Sequence, residues 1–185
     1  KNFLWLRGLP KGEQEEFYEE LFQLMREVPV VGIACVVDRP GYNARYLEQY
    51  NNNPWMLCKT AFTIVVERAA KYALASDALL RVLPERCNKI EDRSLKQYYR
   101  DMREQGLPFD AGTSNKYAPL TNEELKKTLY DIKLKEKTSP MAQLADLYLW
   151  PICMGGYDKN NRPYRRLLEE GKLIECVLPE DAWPM

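Results

Sequence analysis

Histidine is absent from the chain. That one gap removes the Ser-His-Asp triad, the Cys-His pair, the His-ligated zinc and the histidine general base, so any catalysis must draw on carboxylates, lysine, tyrosine or cysteine. Net charge is absent too: 27 basic and 27 acidic residues cancel, leaving no global field to gather nucleic acid or an anionic membrane. The five cysteines, Cys35, Cys58, Cys87, Cys153 and Cys176, are odd in number, widely spaced and free of any Cys-x-x-Cys pair. This pattern argues against a disulfide framework and a zinc site, and points to a reducing cytoplasm. No apolar run reaches the roughly 20 residues of a membrane span, and no signal-peptide pattern opens the chain. An initiator Met is also missing. Lys1 leads straight into Phe3-Leu4-Trp5-Leu6, which we read as an amino-terminally incomplete sequence.

What is present fits a globular protein. The 185 residues, 45% hydrophobic and 29% charged, suffice for one core, and residues 1–185 read as a single domain. Apolar spacing predicts amphipathic helices over Glu13 to Glu27, Trp55 to Ser76 and Asp92 to Gln105. The β-branched run Val30 to Val37 reads as a central strand covered on both faces, and Ala78 to Leu83 and Leu129 to Leu134 as further strands. Thr121-Asn122-Glu123-Glu124 has the form of a capping box. Ser139-Pro140 sets a cap and a proline at the start of the next helix, and a last helix from Tyr164 ends at Gly171. Asp110 to Pro119, polar and rich in Gly, Ser and Asn, reads as a mobile loop. Strand and helix alternate, so the expected class is α/β.

Asp146 is the only charged residue in the apolar stretch Ala142 to Trp150, with Gln143 and Trp150 on the same helical side. A carboxylate buried there needs a metal, a basic partner or several N–H donors, and all three readings are open from the residues alone. Glu85 ends a strand beside Arg86, as a site acid or as half of an exposed ion pair. Asp38 also ends a strand, where Asp-Arg-Pro-Gly is an ordinary turn sequence. Asp92 reads as a helix cap. Tyr98, Tyr99, Trp150 and Tyr157 could stack on bases or fill a core. Arg162, Arg165 and Arg166 could meet phosphates or simply line a solvated helix face.

Three segments together resemble a known family. They are Val-Val-Asp after the long strand, Glu85 to Leu95 (Glu-Arg-Cys-Asn-Lys-Ile-Glu-Asp-Arg-Ser-Leu), and Ser139 to Leu147 with its Gln143-Leu144-Ala145-Asp146 core. The chain from Val30 to about Tyr157 is similar to the domain-of-unknown-function family numbered thirty-eight hundred, described as metal-dependent nucleases of ribonuclease-H-like fold. The resemblance implies a mixed sheet flanked by helices. The family's amino-terminal Asp-Glu-Ser-Gly motif does not occur here, so either the first hairpin is missing from these residues, which the apolar start at Lys1 favours, or this member has lost the leading acid. It further implies that Glu85 and Asp146, with Asp38 as a third candidate and Gln143, Arg86 and Asp92 in support, face one Mg²⁺ or Mn²⁺ centre. Such carboxylate sites bind hard cations and cleave phosphodiesters, one metal activating water and the other stabilising the leaving oxygen. The leading expectation is therefore a cytoplasmic nuclease with nucleic acid as partner. The alternative is a noncatalytic ribonuclease-H-like module that binds nucleic acid or protein.

Overall fold

A computed structural model describes residues 4–37, 39–46, 48, 55–109 and 117–174. The chain forms two compact units, the described parts of Lys1–Gly32 with Leu147–Glu175, and of Ile33–Asp146 with Cys176–Met185. The long segment between Gly32 and Leu147 builds its own core.

In that unit α2 (Arg39–Tyr46) and α3 (Trp55–Ala75) precede a short strand β1 (Leu80–Val82), followed by α4 (Lys89–Gln105), α5 (Asn122–Thr128) and β2 (Leu129–Ile132). Asn88 starts α4: its side chain accepts from the N–H groups of Ile90 and Glu91 at 3.0 Å, meeting two of the donors a helix start leaves open. Gly106 stops it at φ +87°, a conformation that needs no Cβ. The capping box on α5 is fully formed, with Thr121 and Glu124 each accepting from the other's backbone N–H. The core joins Val66 and Ala70 of α3, Tyr99 and Met102 of α4, Leu120, Leu125 and Leu129, with Leu80, Val82 and Ile132 of the strands packed against them.

β1 and β2 run parallel, Leu80 opposite Leu129 and Val82 opposite Ile132. The ladder continues past the strands through Lys135 N–H to the Pro84 carbonyl (2.8 Å) and Arg86 N–H to the Lys135 carbonyl (2.8 Å).

This overturns the α/β, ribonuclease-H-like expectation. Among the described residues the molecule is mostly helical, with one two-stranded parallel sheet in place of a mixed sheet. The run from Val30 to Val37 is not its central strand. It pairs only at Gly32, in an isolated bridge to Leu173, and side chains of Tyr148 and Ile152 crowd the same glycine. The run is half-buried rather than covered on both faces, with Val36 45% exposed, and a β-branched apolar run alone does not supply the neighbouring strands that a sheet needs.

The other unit holds a 3-10 turn (Leu4–Gly8), α1 (Lys11–Glu27), the part of α6 (Pro140–Tyr157) from Leu147 onward, and α7 (Arg162–Glu169). Leu6, Met25, Tyr148, Pro151, Tyr164, Leu167 and Leu173 are its buried side chains among the described residues. The Tyr148 hydroxyl donates to the Met25 carbonyl, and Lys172 donates to the Val28 carbonyl at 2.7 Å. Gly155 faces the Tyr164 ring so closely that any Cβ there would overlap it. No helix among the described residues is long and apolar enough to cross a membrane.

Candidate functional site

Glu85 sits where β1's extension bridges Lys135. Its carboxylate pairs with Lys137 Nζ at 3.5 Å and is 33% exposed. Arg86 pairs with Glu136 at 3.2 Å, and Arg81 with Asp131 at 3.7 Å. Three cross-strand ion pairs thus line the β1–β2 ladder. Each is solvated, and exposed pairs of this kind contribute about 0–1 kcal/mol. The surface ion-pair reading of Glu85 is the one the geometry matches, with Lys137 as its partner.

Asp92 accepts the Cys87 N–H at 3.0 Å, while Asn88 is the residue that caps α4. The hydrogen bond to Glu91 pushes the Cys87 thiol above its usual value, which disfavours the thiolate. Asp38 lies outside the described residues.

Asp146 is exposed on α6, as is Gln143, and among the described residues its carboxylate has no ion pair or hydrogen bond. The buried-charge problem that the sequence poses at Asp146 does not arise. No group of three His, Cys, Asp or Glu among the described residues could hold a metal ion. Glu85 held by an ammonium and Asp146 standing in solvent do not fit a two-metal centre.

Among the described residues, the buried carboxylate is Glu67 on α3, only 5% exposed. Sequence reading passed over it because Glu67 and Lys71, four residues apart, resemble an ordinary surface pair. Glu67 accepts from Lys71 Nζ at 2.9 Å and from the Leu120 N–H at 3.2 Å, with Arg68 Nε at 3.5 Å. Lys71 also donates to the Tyr117 carbonyl at 3.0 Å. This satisfied network ties Tyr117 to Leu120 onto α3, which is a structural task.

The arginines of α7 are engaged as well. Arg166 grips Glu19 through both nitrogens, at 2.6 and 2.7 Å, and lies 3.7 Å from the centre of the Phe22 ring. This pairing holds the Glu19 carboxyl below its usual range. Arg162 reaches the same Glu19 at 3.0 Å, and Arg165 pairs with Glu169 at 3.2 Å. Arginines already paired with carboxylates are poor anchors for phosphate. Of the aromatics, Tyr99 is core, and burial raises its hydroxyl's pKa. Tyr98 packs on Phe62 at 6.3 Å.

Trp150 and Tyr157 behave differently. They stand 56% and 85% exposed on α6, beside Leu149 at 49%. Leu149, Trp150, Cys153 and Tyr157 recur at three- and four-residue steps, forming one outer stripe opposite buried Tyr148, Pro151 and Gly155. The stripe carries no charge.

Among curated proteins, the chain is similar to an uncharacterized protein of Sinorhizobium fredii, y4pM, with 35% identity over 166 residues, which is 89% of this chain and 61% of that protein. It therefore spans about three fifths of that relative's length. No family model and no solved structure matches the chain.

Proposed function

We propose that this chain is a noncatalytic protein-interaction module that docks its partner on the outer stripe of α6. The composition of α6 set against its exposure carries this reading. From Pro140 to Tyr157 Asp146 is the only charged residue, and a helix apolar on every side is one that is covered on every side. Here one side is packed and the other presents Leu149, Trp150 and Tyr157 to solvent. Clustered apolar exposure of this kind marks an interaction surface, whereas scattered apolar residues do not. Exposed Trp and Tyr are the side chains that dominate binding energy at interfaces.

A protein partner fits this stripe better than nucleic acid. α6 has no Lys or Arg, and phosphate binding rests on unpaired cations. The arginines of α7 face carboxylates instead.

The experiment is binding of a hydrophobic dye, bis-ANS, to dilute protein. The wild type binds it and Trp150→Glu loses at least half of the signal, with the circular dichroism spectrum unchanged. Equal dye binding by the two proteins would remove α6 as the docking face.

A further inference from the structure

We infer that a row of exposed cations on α4 binds the phosphate backbone of double-stranded nucleic acid without reading its sequence. The surface belongs to the unit built from Ile33 to Asp146 and does not depend on the docking stripe of α6.

Lys89, Arg93, Lys96, Arg100 and Arg103 follow one another at four- and three-residue steps along α4. At about 100° per residue these steps keep all five within an arc of about 80°, in a row roughly 21 Å long. All five are exposed, whereas α4 buries Tyr99 and Met102 in the core. Among the described residues none of the five makes an ion pair, and the row's one side-chain hydrogen bond runs from Arg100 to Gln97 at 2.8 Å. Asp92 and Glu104 border the row on either side, and Asp92 already accepts the Cys87 N–H.

Such a row destabilises its own helix. Like charges three or four residues apart repel, and Lys89 and Arg93 stand at the positive end of the helix dipole. On α7, by contrast, Arg165 and Arg166 each have a carboxylate partner. A local rule broken without a compensating contact is expected at a functional surface.

The make-up of the row selects the partner. It contains no apolar residue from which a protein interface could build its core, and no ring on which single strands could stack. The apolar side of α4 is packed in the core, so the helix cannot lie in a membrane interface as an amphipathic helix does. A duplex is bound through cations alone, and a row of roughly 21 Å follows its backbone for about six base pairs.

Fluorescence anisotropy of a labelled duplex of about 20 base pairs, titrated with the 185-residue chain from about 25 to about 200 mM salt, tests this. Log affinity is expected to fall against log salt with a slope of about −4, since up to five phosphates are neutralised at about 0.9 each. Replacing Arg93, Lys96 and Arg100 together by Gln is expected to weaken binding at least tenfold at the lowest salt and to reduce the slope by about 3, with the circular dichroism spectrum unchanged. Arg165→Gln and Trp150→Glu are expected to bind as the wild type does. No binding at about 100 µM protein in the lowest salt overturns the inference, as does a triple variant with the wild-type slope. Loss of duplex binding in Trp150→Glu would move the site to α6 and contradict it too. Binding to phosphatidylserine vesicles or polyglutamate but not to the duplex would overturn the choice of partner.

Discussion

Glu67 and Asp146 exchange the roles that their sequence surroundings suggest. Glu67 is buried, and its charge is met by Lys71, Arg68 and the Leu120 N–H. Removing one partner of a buried pair costs about 3–5 kcal/mol, and because Lys71 retains some access to solvent a smaller value applies. Glu67→Ala should lower stability by about 2–3 kcal/mol in urea unfolding. Glu67→Gln keeps an acceptor for Leu120 and should lose less. If the two variants are equally stable, the Leu120 hydrogen bond contributes nothing.

Two other carboxyls set an acid limit. Glu19 is held below its ordinary value by Arg166, and Glu124 by the Thr121 backbone N–H and hydroxyl. A carboxyl whose folded pKa is depressed stabilises fully above its unfolded value, and that stabilisation disappears as pH falls through the folded one. The urea midpoint should therefore drop between about pH 5 and about pH 3. It should drop less in a Glu19→Gln, Glu124→Gln double variant, and identical profiles would refute the assignment.

At the scale of elements, much was legible from local pattern. The α5 start, the two short strands and the opening of α6 at Pro140 follow from spacing and cap chemistry, which act over three or four residues, whereas α4 begins at Lys89, three residues before the expected Asp92. Asn88, not Asp92, caps α4, because a side chain four residues inside the start is past the open N–H groups. Asn88→Ala should cost about 1 kcal/mol. The run at Val30 to Val37 has strand composition but stays half-buried, because neighbours distant in sequence decide whether an apolar extended segment joins a sheet. The exposure of α6's outer stripe was illegible for a related reason: composition shows that a helix is apolar all round but not which side is covered. Gly155 shows how closely the inner side is packed. Gly155→Ala would drive a methyl into the Tyr164 ring, and an over-packed site of this kind should lose about 3 kcal/mol. Unchanged thermal stability in that variant would mean that α6 and α7 pack differently.

For the molecule as a whole, the sequence resemblance and the geometry point to different chemistry at the same residues. The resemblance makes Glu85 and Asp146 ligands of one metal, whereas the structure pairs Glu85 with Lys137 and leaves Asp146 exposed. Docking and hydrolysis separate cleanly in one assay, Mn²⁺-dependent cleavage of RNA and DNA by the 185-residue chain, run beside Asp146→Asn and Glu85→Gln. Docking without catalysis predicts no cleavage by the wild type above the level of either variant. Metal-dependent cleavage that both substitutions abolish would contradict it.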